Sequence, residues 1–174
     1  MPQPEGAELD RVRERREQLR GRYLQPDAKR PAPPTRGIHH AAFICRDVEE
    51  TIRFYQEFLG FPLVELVENR DYAGSSHFFF DLGHGNLLGF FDFPGHPHPP
   101  FDETLGGIQH LALSVDEAAF ARLKRALDDA EVPYLGPDRG ADDSLYIQDP
   151  NGLRVEFYQE RLGIFAGERI TDES

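Results

Sequence analysis

Two histidines at equivalent positions of an internal repeat are the first sign of chemistry in the sequence. Gly-Ile-His-His-Ala-Ala at 37–42 returns as Gly-Ile-Gln-His-Leu-Ala at 107–112, which makes His40 and His110 equivalent. Glu156 stands near the end of the second copy among apolar residues, where a carboxylate is costly to bury unless it is paired or binds a metal. Two imidazoles and one carboxylate form the facial triad of non-haem Fe(II) oxygenases. We therefore predict a divalent metal held by His40, His110 and Glu156.

Strand parity distinguishes the two adjacent histidines of the first copy. Successive side chains of a strand face opposite ways, so His39 faces away from the side that His40 shares with Ala42. His39 aligns with Gln109 in the second copy and is expected to be dispensable for metal binding. Taken alone, each histidine is more often a structural residue than a ligand, but their equivalence in the repeat, together with Glu156, favours the metal. Gly89 aligns with Glu156, which predicts an open coordination position there.

The repeat also predicts the elements that position these residues. Each copy reads as strand, helix and three strands, giving a first module at 37–93, a linker at 94–107 and a second module at 108–160. Asp47 and Asp116 are predicted helix N-caps, and Gly60 a C-cap. The expected fold class is α+β, with two paired βαβββ modules forming a cupped mixed sheet. The predicted strands are 38–45, 61–67, 77–82, 87–93, 108–115, 134–135, 145–148 and 154–159.

Composition limits the classes of partner. Residues 1–36 are expected to form an N-terminal arm, with a charged helix over 8–24 followed by a Pro-rich linker. This arm carries a net charge of +3. Because the whole chain carries −12, residues 37–174 carry −15. The negative charge of residues 37–174 would repel a phosphate backbone, which argues against nucleic acid as a partner. No apolar run is long enough to span a bilayer. The single cysteine, Cys45, and the lack of a secretory signal at the N-terminus favour the cytoplasm. Residues 161–174 are predicted to be a polar tail.

His40, His110, Glu156 and the repeated order of elements resemble the vicinal oxygen chelate superfamily over about residues 37–160. This superfamily includes glyoxalase I, bleomycin-resistance proteins, methylmalonyl-CoA epimerases and type I extradiol dioxygenases. The resemblance implies a cup around a divalent metal, with ligands on the first strand of each module and on a last strand. Glyoxalases and epimerases add a fourth ligand where this chain has Gly89. The three remaining ligands match the dioxygenase arrangement.

A second resemblance concerns Tyr146. The segment 146–156 is similar to the latter part of the extradiol ring-cleavage signature, which implies that Tyr146 hydrogen-bonds the substrate beside the metal. The histidine that this signature places before the tyrosine is replaced by Pro137-Asp138-Arg139. His77 is a further candidate acid or base. Aligning Asp81 with Asp149 puts Phe78 opposite Tyr146 and His77 on the side away from the cavity, although a slip of one residue would reverse this.

The function implied by the resemblance is an Fe(II)-dependent, extradiol-type dioxygenase acting on a catechol-like aromatic, with Mn, Zn and Ni as alternative metals. One alternative is a lyase or isomerase of the glyoxalase or epimerase kind. The other is a non-catalytic, resistance-type protein that binds an aromatic ligand. A homodimer is expected because a cupped sheet leaves strand edges that need cover.

Overall fold

The computed structural model describes residues 4–97, 99, 102, 104–139 and 142–162. The chain divides into two compact units, one of residues 36–162 and one that contains the N-terminal helix α1, Gly6–Tyr23. The predicted charged helix is thus found two residues earlier than expected, and none of its residues is buried. None of the described helices is long and apolar enough to cross a membrane. The predicted tail lies outside the described residues from 163 onwards.

The first module contains one mixed sheet and one helix, in the predicted order. The Asp47 side chain accepts a hydrogen bond from the Glu50 backbone N–H, and Gly60 follows the helix at a φ of +82°, so both predicted ends are found. The sheet order is β1-β4-β3-β2, in which β1 and β4 are parallel and the other neighbours are antiparallel. The elements are β1 His40–Ile44, α2 Val48–Ile52 continued by a π-helix Arg53–Phe58, β2 Leu63–Glu68, β3 Ser76–Asp81 and β4 Leu87–Phe91.

The second module repeats this topology with sheet order β5-β8-β7-β6. Asp116 caps its helix by accepting from the Ala119 backbone N–H. The strand predicted at 134–135 is wrong, because only Leu135 forms a bridge, to Tyr146, before Gly136 turns the chain at a φ of +106°. The elements are β5 Leu111–Ser114, α3 Glu117–Asp129, β6 Asp138–Arg139, β7 Asp142–Gln148 and β8 Arg154–Tyr158.

The two modules share their apolar core. One buried cluster surrounds Tyr55 and Phe90 in the first module, another surrounds Leu127 and Phe157 in the second, and Phe43 packs against both. The predicted α+β class with paired βαβββ modules is therefore confirmed, and its mixed sheet is present as two four-stranded sheets.

The turn between β7 and β8 joins the modules through hydrogen bonds. Asp149 accepts from the Tyr55 hydroxyl at 3.0 Å, and Asn151 donates to Thr51 Oγ1 at 3.2 Å. The Asn151 side chain also accepts from the backbone N–H of Arg46 at 2.8 Å. Burial raises the pKa of the Asp149 carboxyl, while hydrogen bonds from Asn151 and Leu153 oppose that shift. The Asp-Pro-Asn-Gly turn therefore fixes the second module against α2.

Candidate metal and substrate site

Strand register shows which positions of the two modules are equivalent. Phe79 lies opposite Gly89 in the first sheet, and Tyr146 lies opposite Glu156 in the second. On the parallel side of each sheet, an alanine of the first strand pairs with the same residue: Ala42 with Gly89, and Ala112 with Glu156. Gly89 is therefore the structural counterpart of Glu156, as the repeat predicts, and Phe79 is the counterpart of Tyr146.

The same register corrects the predicted placement of His77. Phe78 is fully buried on the core side and does not correspond to Tyr146, so His77 shares a face with Phe79 and His40. The prediction failed because Asp81 is the last residue of β3 itself, whereas Asp149 follows β7. Alignment on these two aspartates shifts the strand by one residue, which exchanges its two faces.

His110, Tyr146 and Glu156 meet on one face of the second sheet. Glu156 is 7% exposed. One oxygen of its carboxylate, Oε1, accepts from the Tyr146 hydroxyl, and the other, Oε2, lies 3.1 Å from His110 Nε2. The His110 and Tyr146 rings stand edge to face, with centroids 5.9 Å apart. The structure thus assembles an imidazole and a carboxylate with a hydroxyl beside them.

The contacts of His110 indicate which of its ring nitrogens faces Glu156. Its Nδ1 contacts the side-chain carbonyl oxygen of Gln109, which can only accept, so Nδ1 carries a hydrogen. In a neutral ring Nε2 then presents a lone pair to an oxygen of Glu156, and two acceptors 3.1 Å apart repel. A proton shared by the two atoms, or a metal ion bound by both, makes this contact favourable.

His40 is not part of this group. It is exposed at the start of β1, where its Nδ1 lies 2.8 Å from His39 Nδ1 and its ring stands edge to face with Phe79. Among the residues that the structure describes, no three His, Cys, Asp or Glu side chains lie together as a metal-binding group. The structure therefore brings together two of the three predicted ligands.

An aromatic face, formed by His77, Phe79, Phe91 and Phe93, covers the corresponding part of the first sheet. His77 stacks on Phe91 with centroids 3.7 Å apart, and Phe91 in turn stacks on Phe93. The Nε2 atom of His77 is buried and has no hydrogen-bond partner among the described residues. Burial, followed by the nearby His40, lowers the pKa of His77. The half of the repeat that lacks the carboxylate is thus apolar and carries an imidazole that favours its neutral form.

Gly89 does not leave empty space, contrary to the expected open coordination position. A Cβ added there would stand 3.0 Å from Cε1 and 3.1 Å from Cδ1 of Phe79. The backbone of Gly89 is therefore covered by the aromatic ring of its cross-strand neighbour. Sequence reasoning missed Phe79 because the alignment at β3 was shifted, and it missed Gln109 because strand parity places that side chain on the opposite face.

A cavity of about 690 Å³ lies elsewhere in the same unit, between the two modules. Its lining includes Ile38 and Leu87 of the first module and Leu111 and Leu113 of the second. Neither His110 nor Glu156 belongs to the described residues that line it. Chemistry rather than cavity size therefore identifies the candidate site.

The fold, the repeat and the His110–Glu156 pair agree with a comparison against protein families. Residues 37–164 match the Glyoxalase/Bleomycin resistance protein/Dioxygenase superfamily, and the chain belongs to this family.

Among its relatives is a candidate ring-cleaving dioxygenase of Bacillus subtilis, MhqO, which is 28% identical over 135 residues. The match covers 76% of this chain and 43% of MhqO, so the chain spans less than half of that relative.

Solved structures share the fold. A candidate dioxygenase from Bacillus subtilis is 29% identical with a TM-score of 0.63, over 73% of this chain and 41% of that one. The fosfomycin resistance protein FosX of Listeria monocytogenes, solved as a mutant with Mn(II) and dihydroxypropylphosphonic acid, is 16% identical with a TM-score of 0.58. That match covers 74% of this chain and 95% of FosX. This structural neighbour thus combines a shared fold with a bound divalent metal.

Proposed function

We propose that this chain is a metal-dependent enzyme, an Fe(II) extradiol-type dioxygenase acting on a catechol-like aromatic. The observation that carries the proposal is the contact between His110 Nε2 and Glu156 Oε2, which brings an imidazole nitrogen and a carboxylate oxygen, both metal-ligating atoms, to 3.1 Å of each other. Similarity to a candidate ring-cleaving dioxygenase supports the choice of reaction. The buried, unpaired Cys45, which is the single cysteine of the chain, supports a reducing, cytoplasmic setting.

The donor set fits a divalent ion. The imidazole nitrogen of His110 and the carboxylate oxygen of Glu156, 3.1 Å apart, would both serve as its ligands. Imidazole and carboxylate suit Fe(II), with Mn, Zn and Ni as alternatives. We propose His40 as the third ligand, because it is the repeat equivalent of His110 and lies on the same face as Gly89. In this chain the His40 side chain contacts His39 rather than His110 or Glu156.

The ion would supply Lewis-acid polarisation of a bound diol and, as Fe(II), electron exchange with O₂. The chain's own residues do the rest. Glu156 supplies the negative charge, and its second oxygen is held by the Tyr146 hydroxyl. That hydroxyl can exchange its partner for a substrate oxygen and so orient the diol. The overall reaction breaks one ring carbon–carbon bond and adds both atoms of O₂, so it needs no other co-substrate.

The first module supplies the binding surface for the aromatic ring. Phe79 and Phe91 offer ring faces and edges, and the unpartnered Nε2 of His77 lies buried next to their rings. A neutral imidazole keeps a free lone pair that can accept a hydroxyl proton when a bound diol reaches it. We propose His77 as that acid–base group and Tyr146 as the group that positions the substrate.

The test is oxygen uptake by the Fe(II)-loaded protein with a panel of catechols. We expect one O₂ consumed per diol, with Tyr146→Phe slowed at least tenfold while it retains the metal. Exposed Tyr72→Phe serves as the control. Absence of uptake with every diol would contradict the proposal.

A second candidate is a lyase or isomerase of the glyoxalase or epimerase kind. The observation that favours it is His77, whose unpartnered, neutral imidazole could also move a proton next to a polarised carbonyl. Turnover of methylglyoxal–glutathione adducts or acyl-CoA epimers without oxygen uptake would select this function. Tight binding of an aromatic compound without any turnover would instead indicate a resistance-type ligand-binding protein.

A further inference from the structure

The residue that precedes each candidate histidine contacts that histidine's Nδ1. Gln109 Oε1 contacts His110 Nδ1, and His39 Nδ1 lies 2.8 Å from His40 Nδ1. Gln109 and His39 occupy the same position of the repeat, just before β5 and β1. The same contact is therefore made in both modules by two different side chains, although strand parity alone gives neither of them a role.

This contact decides which ring nitrogen presents a lone pair. A neutral imidazole carries one hydrogen, and a hydrogen bond donated from Nδ1 leaves the lone pair on Nε2. For His110 that lone pair faces Glu156 Oε2, which lies 3.1 Å away, at the place of the proposed metal ion. For His40 the same result follows if its Nδ1 donates to the lone pair of His39. Each histidine would then have its ligating nitrogen selected in advance.

We propose that Gln109 and His39 are positioning residues that hold His110 and His40 in the Nδ1–H tautomer and so present Nε2 to the metal. The proposal rests on the metal site of the proposed function and deepens it. Partners of this kind fix both the tautomer and the ring orientation of a ligating histidine. Their loss weakens metal binding by about 10- to 100-fold in metal sites generally.

The experiment reads the tautomer directly. Long-range proton–nitrogen correlation spectra of the metal-free protein at pH 8 report which nitrogen of His110 carries the hydrogen, with His110→Asn providing the assignment. We expect Nδ1–H in the wild type and a shift towards Nε2–H in Gln109→Leu. Gln109→Glu, which keeps an acceptor oxygen at this place, should restore Nδ1–H. Gln148→Leu, at an exposed glutamine of the same sheet, is the control.

The second readout is the dissociation constant for Mn(II). We expect it to rise about 10- to 100-fold in Gln109→Leu and to return to within a few-fold of wild type in Gln109→Glu. For His40 the corresponding variants are His39→Leu, which removes the acceptor, and His39→Asn, which keeps one. An Nε2–H tautomer in the wild type, or unchanged tautomer and affinity in Gln109→Leu, overturns the proposal.

The two readouts also separate this inference from the proposed function. If the tautomer responds to Gln109 but Mn(II) does not bind, the metal site of the proposed function fails while the tautomer selection stands. If Mn(II) binds, but neither the His110 tautomer nor the Mn(II) affinity changes in Gln109→Leu, the positioning role fails while the metal site stands.

Discussion

At the residue scale, the proposed metal site rests on a buried carboxylate in contact with an imidazole. The sequence predicts Glu156 because a charge interrupts an apolar strand, and it predicts His110 because the repeat preserves the histidine. The structure brings their side chains to 3.1 Å. The contact between His39 and His40 could not be predicted, because parity describes residues within a regular strand and His39 lies just before β1.

His77 offers a residue-scale prediction about pH. Its pKa is lowered in the folded state by burial and by His40, so the unfolded state binds the proton more readily. Stability from the neutral folded form is therefore lost as pH falls below the ordinary histidine value of about 6.5. We expect His77→Phe, which keeps a ring against Phe91, to reduce the loss of melting temperature between pH 7 and pH 5.

Thermal melts of the wild type, His77→Phe and the control His84→Asn across that pH range would check this prediction. His84 is exposed at a φ of +53°, a conformation that asparagine tolerates. An unchanged pH slope in His77→Phe would contradict the shifted titration.

At the scale of elements, the helix caps and the order of helices and strands along the chain follow from local sequence. The register in which the strands pair does not. Asp47 and Asp116 cap their helices as predicted, because a short acceptor side chain at that position satisfies a free backbone N–H. The one-residue error at β3 arose because both Asp81 and Asp149 accept from a backbone N–H two residues later, in similar turns. Only the pairing of Phe79 with Gly89 removes the ambiguity.

The Phe79–Gly89 pair gives a prediction at this scale. Gly89→Ala places a Cβ about 3.0 Å from the Phe79 ring and should destabilise the fold by about 1 kcal/mol through overpacking. In a Phe79→Leu background the ring is absent, and the same change should cost much less. Urea unfolding of the four proteins gives the coupling free energy. Equal effects of Gly89→Ala in both backgrounds would show that the ring does not cover this glycine.

At the scale of the whole molecule, the repeat predicts two modules, but the way they join becomes clear only in the structure. The turn at 149–152 reads as a strand boundary in the sequence, yet its side chains also bind Tyr55, Thr51 and Arg46 of the other module. Such contacts span about a hundred residues, and no local pattern encodes them. The shared core through Phe43 has the same long-range character.

The outer strand β2 leads to a prediction about assembly. Val64, Leu66 and Val67 are 50%, 49% and 45% exposed on this edge strand, which is unusual for three apolar side chains on one strand. We propose that a second copy covers them in a homodimer. Light scattering at micromolar concentration should give twice the chain mass of 19.8 kDa. In Leu66→Lys the measured mass should fall towards that of a single chain.

The control is Gln148→Lys, which adds the same single charge at an exposed position of β7. A wild type that is monomeric throughout would contradict the dimer. If the dimer forms, mixing His40→Ala with Glu156→Gln tests whether His40 reaches the ion from the second copy. Recovery of metal binding in the mixture, but in neither variant alone, is the expected sign of that exchange.

The most direct test of the metal site is calorimetric titration of the wild type and Glu156→Gln with Mn(II). Glutamine keeps the shape of the side chain and removes the charge, and Glu117→Gln removes a charge at an exposed position. We predict one ion per chain in the wild type and in the control, and binding at least 100-fold weaker in Glu156→Gln. Wild-type protein that takes up no ion, or Glu156→Gln that binds it equally well, would contradict the account.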